Sequence, residues 1–153
     1  MTTEANLKQA AELLAPWTTE TTTPEDFRLD VWLAGDDIPA AIKTLHEAGW
    51  GYLATITGID HGGDDGMEAM YHFCNQEAVA TLRVRFGYDS PSVPSICDTI
   101  PSASFFEREL MEMFGITVVD TPNTDHLFLP DDWPENTYPL RKDFEMKQIQ
   151  GGN

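Results

Sequence analysis

The stretch Phe27–Gly49, FRLDVWLAGDDIPAAIKTLHEAG, carries two hydrophobic periods end to end. In its first part Phe27, Leu29, Val31 and Leu33 alternate with Arg28, Asp30 and Trp32, the period of two expected of a half-buried strand. From Ile38 the spacing becomes helical, and Ile38, Ala41, Ile42, Leu45 and Ala48 form one apolar stripe. Asp37 suits the N-cap, Pro39 is tolerated in the first turn, and Gly49 closes the helix. A one-faced strand followed at once by a one-striped helix predicts a sheet with a helix laid on it.

The flanking sequence extends this pattern. Leu7, Ala10, Ala11 and Leu14 predict a short helix over Glu4–Leu14, stopped by Pro16. Thr18–Glu25 is Thr-rich, contains Pro24 and has no period, so it reads as a loop. Tyr52–Ile59, Met67–Cys74 and Ala78–Phe86 read as strands, and the short Gly, Asp and Asn turns between them favour antiparallel neighbours. Ser90–Ser95, with two prolines, is too stiff for a helix and is expected to cross the sheet edge in extended form. Ser104 and Glu107 have the spacing of a capping box, opening a helix whose Phe106, Leu110, Met113 and Phe114 face the core and which Gly115 ends. Arg108 and Glu112, one turn apart on its polar side, are expected to pair for about 0.2–0.5 kcal/mol. The expected fold is α+β over residues 1–120: two layers, a mixed and mostly antiparallel sheet, helices on one face.

Residues 121–153 read differently. Pro122, Pro130, Pro134 and Pro139 block regular structure, yet Leu127, Phe128, Leu129, Trp133, Tyr138, Leu140 and Phe144 keep recurring. Burial of such a side chain contributes about 1.5–3 kcal/mol, enough to order an extended strap only against a surface. That surface belongs either to the domain itself or to a partner, and a partner-binding tail is the expectation.

Composition narrows the function. The 153 residues suit one domain, and 26 acidic against 9 basic residues give a net charge of −17. Such a charge repels nucleic acid and disfavours direct adsorption to anionic lipid. The longest weakly polar run, Ala48–Ile59, is short of the roughly 20 residues a spanning helix needs. The amino terminus lacks the pattern of a secretory or transit signal, so a cytoplasmic location is expected, with any membrane association made through another protein. Cys74 and Cys97 cannot by themselves supply four ligands to a cluster or structural zinc, and are expected to be reduced core thiols. His46, His61, His72 and His126 show no ligand spacing, and no nucleotide-binding or hydrolase motif occurs. Glu107 and Glu109, two apart on a helix, diverge and do not form an acid/base pair. Two alternatives stay open: a stand-alone acidic enzyme or metal binder using Asp60, His61, Asp64 and Asp65 with Asp131 and Asp132, and a peptide-binding module whose strap folds back on its own groove.

Glu107-Arg108-Glu109, Glu112 before Met113-Phe114-Gly115-Ile116, Leu129-Pro130-Asp131-Asp132-Trp133 and Pro139-Leu140-Arg141-Lys142-Asp143-Phe144 occur in that order. This run resembles the signature region of the 30 kDa subunit of respiratory complex I, the NADH:quinone oxidoreductase, and its counterparts in membrane-bound [NiFe] hydrogenases. Val93-Pro94-Ser95 also fits, whereas residues 1–89 match only in the pattern of elements. The resemblance implies an α+β domain in the hydrophilic arm, without catalytic residues, cofactor or metal of its own. It would brace the [NiFe] hydrogenase large subunit or the complex I homologue of that subunit, beside small iron–sulfur subunits, on the cytoplasmic face of the membrane. Clusters and the quinone or nickel–iron site would lie in those partners. Glu107, Arg108 and Glu109 would hold bonds between elements and subunits, and Arg141, Lys142 and Asp143 would anchor on the partner a strap whose Trp133, Tyr138, Leu140 and Phe144 also bind it. The sequence departs from the family where Gly-His-Pro and a following Arg usually stand, having Asp120-Thr121-Pro122 and His126 instead. The long spacer from Trp133 to Pro139 looks more like the hydrogenase branch.

Overall fold

The computed structural model describes residues 1–150; the last three residues of the tail expected over 121–153 lie outside them. The chain runs α1 (Thr3–Leu14), β1 (Glu20–Glu25), β2 (Arg28–Trp32), α2 (Ile38–Glu47), β3 (Tyr52–Asp60), β4 (Met67–Asn75), β5 (Ala78–Phe86), β6 (Ser92–Pro94), α3 (Ser104–Phe114), β7 (Thr117–Val119) and a one-turn α4 (Lys147–Gln150). The main sheet has the order β1-β2-β5-β4-β3. The β2–β5 pair is parallel and the others antiparallel. β6 and β7 form a small parallel sheet beside it.

Alternation in the strands places the core. Leu29 and Val31 of β2, Tyr71 and Phe73 of β4, and Ala80, Leu82 and Val84 of β5 point to one face. There they meet Ala10 and Leu14 of α1, Ile38, Ala41, Ile42 and Leu45 of α2, and Leu110 and Phe114 of α3. Each large side chain so buried contributes about 1.5–3 kcal/mol. Gly58 of β3 gives α3 its close approach, because a Cβ there would come within 2.5 Å of the Phe114 ring. Trp50, also buried, donates its indole N–H to the Asn6 carbonyl and ties the start of β3 to α1.

The helix-free face is held by charge. Arg83 reaches Asp30 at 2.8 Å and both oxygens of Glu68, while Arg28 takes the other side of Asp30 at 2.8 Å. His61 Nε2 lies 2.9 Å from Glu68, and the Trp32 ring stacks under Arg83 and Arg85. The arginine stems lie across the pleat, so Asp30 and Glu68 are buried on a face with no helix.

Several local expectations need correction. Thr18–Glu25 is no loop but contains β1, an edge strand exposed on both sides, so it has no apolar alternation to read; its Pro24 falls where the register slips. Asp37 sits in a 3₁₀ turn leading into α2 and makes no side-chain cap, and Ala48 and Phe27 are exposed. Of Ser90–Ser95, Ser92–Pro94 is extended as expected, as the strand β6 paired with β7, whereas Ser90 turns with φ 50°. The capping box at Ser104 does not form: a 3₁₀ turn over Pro101–Ala103 leads straight into α3, and the Glu107 carboxylate turns inward instead. Gly115, at φ 68°, ends α3 as expected.

Candidate functional site

α3 is the element on which the signature residues converge. Glu107 is 1% exposed. Its carboxylate accepts from the Ile96 amide at 2.8 Å, the Ser95 hydroxyl at 2.9 Å and the Thr121 hydroxyl at 2.8 Å, with the Cys97 thiol at 3.2 Å. One buried charge thus joins the end of β6, the helix and the start of the strap. Thr121, standing where the resemblance leads one to expect histidine, supplies a hydroxyl donor. Cys97 is half-buried rather than in the core, and burial together with the Glu107 carboxylate pushes its thiol up to about 11. Cys74 is likewise half-buried and free.

Arg108 and Glu112 do not pair with each other; both hold the strap. Arg108 donates from Nε to the Asp125 carbonyl at 2.8 Å and from Nη2 to the His126 carbonyl at 2.6 Å. Glu112 accepts from the amides of Leu127 at 2.9 Å, Phe128 at 2.8 Å and Leu129 at 3.4 Å, with His126 Nδ1 at 3.3 Å. Burial opposes the charge on Glu112, but the amides outweigh it and hold its carboxyl below the usual range. Glu109, one residue beyond Arg108, is half-exposed.

Further along, the strap caps the carboxyl end of α3, where helix carbonyls lack intrahelical partners. The Leu140 amide donates to the Met113 carbonyl at 3.1 Å, and Arg141 Nε donates to the Phe114 carbonyl at 2.6 Å. A guanidinium there also complements the helix dipole. Tyr138 lies between Arg141, 4.6 Å above its ring, and Gly115, where a Cβ would come within 2.5 Å of the ring. Lys142 donates its amide to Asp60 Oδ2 at 2.8 Å and its ammonium to the His61 carbonyl at 3.1 Å. Asp60 accepts as well from the Gly62 amide and the Tyr88 hydroxyl; burial opposes its charge, these donors prevail, and its carboxyl stays below the usual range. Asp143 is exposed beside this clamp. The Trp133 and Phe144 rings stack 6.3 Å apart, and Trp133 Nε1 donates to the Thr137 carbonyl at 2.7 Å.

The backbone of the strap is therefore pinned to its own domain, but much of its apolar surface is not covered. Phe128 is 66% and Leu140 53% exposed, and Phe105 on α3 is 59% exposed. Sequence reading misses Asp60 and Glu112 as strap clamps. Nothing local marks them: one precedes a Gly-rich turn and the other resembles any polar residue on a helix face. The assembled surface combines buried carboxylates, which fix geometry, with exposed aromatic and aliphatic groups, which can bind.

Comparison with known proteins gives this surface a context. Residues 31–150 match the family model of the respiratory-chain NADH dehydrogenase, 30 Kd subunit. The chain is 33% identical over 120 residues to the C-type subunit of NADH-quinone oxidoreductase from Moorella thermoacetica, covering 76% of this chain and 79% of that one. It is 33% identical over 120 residues to formate hydrogenlyase subunit 5 of Escherichia coli, but spans only 21% of that protein's length. Among solved structures, a chain of the membrane-bound sulfane sulfur reductase, an archaeal respiratory membrane complex, superposes with a TM-score of 0.77 at 26% identity, covering 94% of this chain and 85% of that one. These relatives are subunits of a formate hydrogenlyase and an NADH-quinone oxidoreductase and a chain of an archaeal respiratory membrane complex. The match over most of the length, and the shared α+β architecture, show that this chain belongs to the family of the respiratory-chain NADH dehydrogenase 30 kDa subunit.

Proposed function

We infer that this chain is a structural subunit, holding no cofactor, of a complex I-type redox machine. In this reading it braces a large catalytic partner, either the [NiFe] hydrogenase large subunit or its complex I homologue. Electron transfer and ion movement belong to other subunits, and the chain sits peripherally on the cytoplasmic face of the membrane through them. No helix among the described residues is long and apolar enough to cross a membrane.

The observation that carries the reading is the mismatch along the strap. Its amides are fixed by Glu112, Asp60 and the last turn of α3, while Phe128 and Leu140 stay exposed. Ordering a segment costs conformational entropy, and large apolar groups held rigidly in water contribute nothing toward it. A preorganised, aromatic-bearing surface binds a partner with little further ordering cost. The alternative metal-binding reading finds Asp60 already engaged by three donors and His61 by Glu68.

The test is replacement of Phe128 and Leu140 together by Ser. Free-chain stability should change by less than about 0.5 kcal/mol, as for exposed sites, while co-purification of the large catalytic subunit is lost. A chain that exists in cells as a free monomer, or that binds stoichiometric iron when isolated, would overturn the reading.

A further inference from the structure

Between the outer side of α3 and the strap loop from Thr124 to Tyr138 lies an open cavity of about 320 Å³. It is at the small end of ligand sites, which run from about 300 Å³ upward, and suits one long side chain. The rings of Trp133 and Tyr138 line it, together with Met111 of α3.

Its hydrogen-bonding groups are unevenly engaged. Arg108 is turned onto the carbonyls of residues 125 and 126, the Trp133 N–H onto Thr137, and the amides of residues 127–129 onto Glu112. The acceptors are free: the carboxylates of Asp125 and Glu135 have no hydrogen bond or ion pair among the described residues. Glu112, Asp125 and Glu135 against the single guanidinium of Arg108 leave the lining negative, in a chain of net charge −17. Tyr138 already carries Arg141 over its ring and Trp133 stacks on Phe144, so the ring surface of Trp133 left at the cavity combines with the unpaired carboxylates, the chemistry that selects a cation.

We propose that this cavity receives one lysine or arginine side chain presented by the partner subunit. The proposal rests on the reading of the strap as a partner surface and deepens it. Charge complementarity names the occupant: a chain this acidic selects a basic patch, and in this cavity aromatic rings and unpaired carboxylates occur together beside Phe128, whose amide bonds Glu112 of the lining.

The experiment uses the full chain assembled in its native complex. Asp125→Asn with Glu135→Gln is compared with Glu20→Gln and Glu25→Gln, an equal change of charge on β1 at the opposite edge of the sheet. The cavity pair is expected to weaken retention of the partner about tenfold and flatten its salt dependence, while the β1 pair leaves both unchanged. Trp133→Leu, with the free chain's melting curve as a check on folding, is expected to act like the cavity pair. A photo-cross-linker at Asn136 should capture a partner peptide containing lysine or arginine. Equal effects of the two pairs, or a captured peptide with no basic residue, would overturn the proposal; the Phe128 and Leu140 result still decides the strap reading by itself.

Discussion

A glutamate on the polar side of a helix ordinarily faces water, yet Glu112 is 6% exposed because three consecutive strap amides close over it. Charge-assisted bonds of this kind are roughly twice as strong as neutral ones, and removing the charge leaves amides poorly paired. Glu112→Gln is therefore expected to cost about 1–3 kcal/mol. It should also speed proteolytic cutting between Pro122 and Pro134; unchanged cleavage would show that the carboxylate does not hold the strap. Cys97 illustrates the converse, a reactive group made inert. With its thiol pushed up to about 11 by burial and by Glu107, it should resist disulfide-exchange reagents at pH 8 in the folded chain and react once unfolded. Neither behaviour can be read locally. The sequence places Glu107 and Glu112 on a helix, and only the approach of Ile96, Thr121 and Leu127 gives their carboxylates work.

At the scale of elements, the longer strands and helices are readable where one face meets the core, since alternation and the helical stripe record that contact directly, whereas the three-residue β7 is too short to show a period. β3, β4, β5, α2 and α3 follow their patterns closely. β1 is not readable because an edge strand exposed on both sides leaves no apolar period. The charged face of the sheet misleads in a subtler way: alternation puts Arg28, Asp30 and Trp32 toward solvent, whereas Asp30 and Glu68 are buried beneath arginine stems. Removing one member of a buried ion network strands the rest, so Arg83→Met should destabilise the chain by about 3 kcal/mol. Arg85→Met, which removes only a stack on Trp32, should cost under about 1 kcal/mol. Denaturant titration of both variants decides this; equal losses would mean that the Asp30–Arg83–Glu68 network has no special weight.

At the scale of the whole molecule, three carboxylates among the described residues, Asp60, Glu68 and Glu112, are held below their usual range. In Glu68 burial opposes the charge, and the bonds from Arg83 and His61 outweigh it. A group whose folded value is depressed contributes stability that is complete above its unfolded value and disappears as pH falls through the folded one. Thermal melts should thus begin to decline below about pH 6.5, where burial opposes protonation of His72, and fall steeply below about pH 4, with strap cleavage rising in step. A melting temperature insensitive to acid would contradict these assignments. By itself the sequence determined the two-layer α+β plan, the one-sided core and the family signature from Glu107 to Phe144, because hydrophobic period and short motifs are written along the chain. Tertiary structure alone decided which charges are buried and where the strap lies. The partners concerned, such as Asp60 and Lys142, 82 residues apart, meet only after the sheet has assembled, and no local pattern encodes a hydrogen bond between distant segments.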